Sequence, residues 1–318
     1  MSCNEESDRL PSVQLPLSKS YTYASPIPQS VVDSNEACML GVDEAGRGPC
    51  LGPMVYAVCY YPASRHDEFK ALGFDDSKKL TEERRVDLAK IIQQNLDWVG
   101  WAVQVIAPQE ISTNMLSRPP YNLNEMAHSA TMQLIRNVLN AKINVTEIFV
   151  DPVGPSQSYK AKLSRYFPGI EITVEPRADS LYASVSAASI CAKVTRDQVL
   201  QHWIWLEPGL EGKVSKSFGS GYPSDPNTVK WLGENEDPFF GFPSLIRFSW
   251  KTISNRMDTT LQVEWSEDED EEDTKPKNIR KRRTQAQAPT ANKDTGSRQH
   301  HMNGRTYKQL CLETVNTL

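Results

Sequence analysis

Asp43 and Glu44 end the apolar run CMLGVD at Cys38–Asp43 and are followed at once by Gly46-Arg47-Gly48, within GVDEAGRGPCLGPMVYAVCYYP. Adjacent acids repel one another, and beside a core they also lose hydration, at a cost of roughly several kcal/mol unless something compensates them. Two further acids occupy equivalent places: Asp151 closes the run EIFV, and Asp179 stands at the mouth of a helix just after EITVE. In open α/β sheets such strand ends are where ligand sites form. If the strands are neighbours, Asp43, Asp151 and Asp179 converge at one sheet edge, a set of hard oxygen donors of the kind magnesium or manganese requires. Two such ions about 3.5–4 Å apart activate water and stabilise a leaving oxygen in phosphodiester cleavage. Taken singly, an acid after a strand is most often a solvated turn residue, and Asp179, before a helix, still more often a routine cap. Only their joint placement separates the two readings. Successive side chains of a strand point to opposite faces, so Glu44 joins the set only if the chain turns immediately after Asp43; Gly46 and Gly48 permit that turn.

The elements that must position these acids are five strand-like runs: Cys38–Asp43, Gly52–Tyr61, Trp98–Ile106, Glu147–Val150 and Glu171–Glu175. Helices are predicted over Thr81–Leu96, Asn124–Asn140 and Leu181–Trp203, the first opened by a Thr cap with Glu82 and Glu83 behind it. Ala183, Ser184, Ala187 and Ala188 let the third lie close on a sheet. The first strands follow one another and the later ones are joined by helices, which gives an α/β fold on a mixed five-stranded sheet flanked by helices. Past Pro208 come the loop SFGSGYP, a short helix after Ser224-Asp225-Pro226, and an amphipathic segment aligning Ile246, Trp250, Ile253 and Met257. Together these form a small C-terminal helical subdomain.

The chain thus divides into a flexible leader (1–36), a catalytic domain (37–206), the helical subdomain of the same unit (207–260), a disordered acidic and basic linker (261–302) and a segment that regains apolar residues (303–318). The formal charge of −5 does not exclude a polyanionic partner, because the seven acids of Glu267–Asp273 alone turn a remainder of +2 into −5. Six cysteines without a C-x-x-C pair suit buried thiols in a reducing compartment, with no disulfide and no zinc. The polar N-terminus carries neither a secretory signal nor a spanning helix, so a soluble intracellular protein is expected.

DEAGRGPCLGPMVYAVCYYP resembles the opening signature of the type 2 ribonuclease H (ribonuclease HII-like) family. The similarity continues, in order, through DDSKKL, YNLNEMAH, VDPVG, FPGIEITVEPRADSLYASVSAASICAKVTRDQ, GSGYPSDP and FGFPSLIRFSWKT, and is nearest to the catalytic member of the eukaryotic heterotrimeric enzymes. It implies a ribonuclease H-like fold that hydrolyses the RNA strand of RNA–DNA hybrids and incises 5′ of single ribonucleotides embedded in duplex DNA. It further implies Asp43, Glu44, Asp151 and Asp179 as catalytic, Mg2+- or Mn2+-binding acids, and Gly46, Arg47 and Gly48 as the loop that reads the ribose 2′-hydroxyl. Tyr222 matches a tyrosine that packs beside the RNA-to-DNA junction, and Lys78, Lys79 and Arg177 are candidate phosphate contacts, although exposed basic residues are usually just solvated. Arg177 stands where the family has lysine, and Pro152 replaces a small polar residue. Two accessory proteins, the B and C components, complete the implied heterotrimer, with 303–318 the candidate docking segment. Such a substrate implies residence in the nucleus; KPKNIRKRR (275–283) reads either as a nuclear localisation signal or as a solvated basic run. A chain that binds hybrid without cutting is the alternative.

Overall fold

The computed structural model describes residues 9–258, all within the first of the two units into which the chain divides, Met1–Glu264 and Trp265–Leu318. The linker from 261 and the segment 303–318 lie outside the described residues. The strands are β1 (Tyr21–Ala24), β2 (Cys38–Ala45), β3 (Met54–Pro62), β4 (Gly100–Ile106), β5 (Val145–Val150) and β6 (Glu171–Val174). The helices are α1 (Gln29–Ser34), α2 (His66–Ala71), α3 (Glu82–Gln94), α4 (Pro108–Leu116), α5 (Leu123–Asn140), α6 (Ser156–Tyr166), α7 (Ala178–Leu181), α8 (Ala183–Gln201), α9 (Pro226–Glu234) and α10 (Lys251–Met257).

The sheet runs in the order β1-β4-β3-β2-β5-β6. Antiparallel pairing joins β1 to β4, β4 to β3 and β3 to β2, whereas β2 to β5 and β5 to β6 are parallel. This is the mixed α/β sheet flanked by helices that the sequence predicts, with six strands rather than five. The sixth is β1, drawn from the stretch expected to be a flexible leader. Among the described leader residues, Leu10, Val13, Leu17 and Val31 are buried, and the Leu10 N–H donates to Gln198 Oε1 at 2.8 Å. These residues join the main hydrophobic core, but Leu10, Val13 and Leu17 lie outside any helix or strand and so follow no helix or strand period.

All nine residues of β3 are buried, because both faces of the strand are covered; such a strand reads as one continuous apolar run. The helix α8 packs across β2 and β3. Gly41 is what lets it come close: a Cβ there would fall 2.2 Å from the carbonyl carbon of Ser184 and 2.3 Å from the nitrogen of Val185. Both neighbours are backbone and cannot swing aside. Gly41→Ala is therefore expected to cost roughly 3 kcal/mol, read as a lowered urea midpoint at unchanged m-value.

The last described stretch differs from its predicted form. Ile246–Trp250 is not helical; Ile246 bridges Leu51, the Gly52 N–H donates to Leu245 O (2.8 Å) and the Arg247 N–H to Cys50 O (2.9 Å). Helix starts only at Lys251. The alignment of Ile246 with Ile253 reflects burial of both in the core, not one helical face.

Candidate active site

Asp43 lies two residues before the end of β2, and Asp151 directly follows β5, its parallel neighbour. The Asp151 N–H donates to Val42 O at 3.3 Å, which extends the ladder by one bond and sets the two acids side by side. Asp179 arrives from β6 through Arg177, whose left-handed backbone (φ 61°) reverses the chain into α7. That reversal turns backbone donors onto Asp151: the Arg177 N–H donates to Oδ1 at 3.1 Å, with the Ala178 N–H beside it. As a result, Asp43, Asp151 and Asp179 each present an oxygen, all within 4.8 Å of one another.

Asp43 and Asp179 are buried and Asp151 is half-buried. Burial, followed by the negative charge of Glu44, pushes the Asp43 carboxyl well above the usual carboxylate range, against the hydrogen bonds from Ser189 and from the Glu44 N–H (2.7 Å). Asp151 is raised by burial and Asp179 by burial and then by the carboxylate of Asp76. Asp179 Oδ2 is buried without a hydrogen-bond partner, and the Lys78 ammonium approaches it only to 3.8 Å. An orphaned buried carboxylate oxygen inside a cluster of like charge is costly on its own. It is compensated when a hard divalent cation completes the set, and three such oxygens fit that requirement.

The chain does not turn immediately after Asp43. β2 continues with Glu44 opposite Tyr56 and Ala45 opposite Val55 of β3, and the turn falls at Gly46, where φ is +77°. Glu44 consequently stands outside the 4.8 Å set, yet it lines the same cleft of about 1010 Å3. Burial and then the charge of Asp151 raise its carboxyl to about 7, partly offset by Arg47 and Lys78.

The Gly46-Arg47-Gly48 loop is held from beneath. The guanidinium of Arg247, fully buried, donates through Nη2 to Gly46 O (2.6 Å), through Nη1 to Arg47 O (3.1 Å) and through Nε to Gly52 O (2.8 Å). Trp250 Nε1 donates to Gly48 O at 3.1 Å. With the carbonyls of Gly46 and Arg47 drawn inward, the N–H groups of Arg47 and Gly48, which share those trans peptide planes, face the opposite way, an arrangement that suits an oxygen ligand; the Gly48–Pro49 peptide carries no N–H. Tyr222, 48% exposed, lies over Gly48, where a Cβ would meet its ring at 2.8 Å. Its own loop is fixed by Asp225, which accepts from the N–H and Oγ of Ser220, both at 2.6 Å. Arg47 reaches across to Asn124 Oδ1 at the start of α5.

Of the residues singled out in the sequence, Asp43, Glu44, Asp151, Gly46, Arg47, Gly48, Lys78 and Tyr222 line this one cleft. Asp179 joins through its oxygen and Arg177 through its backbone, the Arg177 side chain being exposed. Arg247 and Asn124 carry roles that the sequence alone does not assign. A lone cation in the apolar stretch PSLIRFSW is the signal that points to the first.

Known proteins share this arrangement of chain. Residues 40–253 match the family model described as Ribonuclease HII. The chain is 49% identical over 246 residues to the ribonuclease H2 A component of Homo sapiens, covering 77% of this chain and 80% of that one. For the corresponding A component of Arabidopsis thaliana the identity is 46% over 239 residues, 75% and 80% of the two chains. The ribonuclease H2 of Pyrococcus horikoshii OT3 superposes with a TM-score of 0.58 at 32% identity, over 70% of this chain and 100% of that one. A Bst-RNase HIII solved in complex with Mn2+ shares the fold at 21% identity and a TM-score of 0.52, over 72% of each chain. The family match over most of the chain, the identity along most of both chains and the superposition agree: this chain belongs to the ribonuclease HII family, whose members are endoribonucleases.

Proposed function

We propose that the chain is the catalytic component of a ribonuclease H that hydrolyses the RNA strand of RNA–DNA hybrids and incises 5′ of single ribonucleotides embedded in duplex DNA. The observation that carries this reading is the meeting of Asp43, Asp151 and Asp179 within 4.8 Å in the cleft lined by the Gly46-Arg47-Gly48 loop. The three aspartates, with Glu44 at their side, would hold Mg2+ or Mn2+. Such ions, when bound, supply a water of lowered pKa and positive charge for the leaving oxygen.

The residues of the chain do the rest. Only the 2′-hydroxyl separates ribose from deoxyribose locally, and it both donates and accepts. The loop, with the carbonyls of Gly46 and Arg47 tied to Arg247, offers it the backbone N–H groups of Arg47 and Gly48, and a side chain has no room at Gly46, against Arg196 and the Pro53 carbonyl, or at Gly48, against the Tyr222 ring. Tyr222 offers a flat face to the adjoining sugar, and Lys78, 81% exposed beside Asp179, reaches a phosphate. In-line attack of water on phosphorus breaks the P–O3′ bond, leaving a 3′-hydroxyl upstream and a 5′-phosphate on the ribonucleotide. The relatives are each one lettered component of a larger ribonuclease H2, which supports assembly of this chain with accessory B and C components, and the substrate supports residence in the nucleus.

A duplex DNA carrying one ribonucleotide tests this reading. With magnesium or manganese and the accessory components present, a single nick on the 5′ side is expected, and none when the 2′-hydroxyl is replaced by hydrogen. An uncut ribonucleotide duplex under those conditions would overturn it.

A further inference from the structure

Behind the turn that follows Asp151 lies a chain of polar side chains that the acids and the Gly46-Arg47-Gly48 loop do not include. His128 of α5, its side chain only 12% exposed, sets Nε2 3.3 Å from Val153 O and Nδ1 3.3 Å from the Lys162 ammonium of α6. Its ring stacks on that of the buried Tyr159, with centroids 4.0 Å apart. Lys162 is held in turn by Glu125 Oε2 at 2.7 Å.

These neighbours fix the tautomer of His128. An ammonium donates and cannot accept, so Nδ1 is the acceptor and the ring proton is left on Nε2, aimed at Val153 O. Glu125 Oε1, 4.0 Å from Nδ1, stands beyond hydrogen-bond reach and does not compete for that nitrogen. Burial lowers the pKa of the ring, outweighing the bond to Val153 O, and Lys162 adds to the lowering, so the imidazole is neutral at neutral pH.

The turn needs such a donor. Pro152 and Pro155 have no N–H, Gly154 is left-handed (φ 82°) and Val153 is buried, so Pro152-Val153-Gly154-Pro155 has few means of tying itself down. Upstream, the Asp151 N–H on Val42 O holds the chain; two residues downstream, His128 holds it at Val153 O. Asn124, one helical turn before His128 on the same face of α5, takes the Arg47 guanidinium. One helix face thus steadies both the specificity-bearing Arg47 and the turn beside Asp151.

We propose that His128 is a positioning residue for the reaction: with its tautomer set by Lys162, it holds the turn after Asp151 through the Val153 carbonyl and so keeps that carboxylate aimed at the metal site. The inference rests on the metal-dependent reading above and deepens it.

Two substitutions at His128 test it. His128→Phe keeps a ring on Tyr159 and removes both nitrogens, whereas His128→Gln restores an amide N–H near the place of Nε2. By calorimetry on the full chain, His128→Phe is expected to weaken manganese uptake about 10-fold, and His128→Gln to recover most of the loss. On a duplex with one ribonucleotide, with the accessory components present, kcat of His128→Phe should fall about as far while KM stays within about 2-fold. Lys162→Met leaves the ring in place and lets Nδ1 turn a proton toward Glu125. In nitrogen NMR spectra of the imidazole the parent should show a single Nε2–H form, and Lys162→Met a mixture. A lowered melting point in His128→Phe with manganese uptake at the parent's level would make this chain of contacts a support of the fold alone and overturn the proposal. An Nδ1–H form in the parent, or a Lys162→Met spectrum identical to the parent's, overturns it too, and these readings decide the matter even if His128→Phe does not fold. A parent that takes up no manganese removes the metal reading and this inference together.

Discussion

Asp43→Asn is expected to reduce cleavage at least ~10³-fold and, in chelator, to raise the melting temperature, the reverse of what most core substitutions do. Asparagine keeps the shape and still accepts the Glu44 N–H, but it removes one of the crowded negative charges. The sign follows from the proton balance. Burial holds the carboxyls of Asp43, Asp151 and Asp179 above their ordinary values, and it raises Glu44 from 4.5 to about 7, so the folded chain binds protons that the unfolded chain has released. A raised carboxyl favours folding fully below its unfolded value and loses that contribution as pH climbs through its folded one. For Glu44 the window runs from about 4.5 to 7, and on the order of 2–3 kcal/mol is lost across it. Metal-free protein should thus melt lower at pH 7.5 than at pH 5, Glu44→Gln should flatten the difference, and millimolar manganese should raise the wild-type melting point but not that of Asp43→Asn. Calorimetric scans at the two pH values read all three effects. A lowered melting point for Asp43→Asn in chelator would mean that these charges do not strain the fold.

That acid cluster was legible in the sequence because each acid terminates or follows a run whose strand character is plain, CMLGVD, EIFV and EITVE, and parallel neighbours necessarily bring equivalent ends to one edge. The path after Asp43 was not legible. Whether a strand continues depends on its partner, and Tyr56 and Val55 of β3 were in register to carry β2 on to Ala45. β1 was hidden for a similar reason: Tyr21–Ala24 is four residues long, lies at the edge, and gains its conformation from the exposed side of β4. Helix α4 does carry a mark of its own, a proline at its first turn, where the missing N–H costs nothing. The inward-facing carbonyls of the Gly46-Arg47-Gly48 loop left no mark near the loop itself, since their donors lie about 200 residues further along and backbone acceptors impose no residue type.

Those distant donors set the second large effect. Arg247 is fully buried with no carboxylate among its partners, and Arg196, also buried, repels it; burial and then that repulsion bring its pKa down to about 9, so it remains a cation at neutral pH. Burying such a charge is tolerable because its planar fork is met by three carbonyls. Arg247→Met would strand Gly46 O, Arg47 O and Gly52 O at about 1–3 kcal/mol each, relieved in part by removal of the cation, for a net loss of about 3–5 kcal/mol. Arg247→Lys separates the loop from the fold. An ammonium keeps the charge but cannot span three acceptors, so the carbonyls of Gly46 and Arg47 regain freedom to rotate and the N–H edges lose their aim. In that variant kcat/KM on a duplex with one ribonucleotide is expected to fall about 10²-fold, the scale of one lost set of preorganised donors. Manganese uptake, governed by acids that Arg247 does not touch, should stay at the wild-type level by calorimetry. A folded Arg247→Lys protein cutting that duplex at the wild-type rate would show that the loop holds its shape without the fork, and the reading of the 2′-hydroxyl would then have to rest on side chains instead.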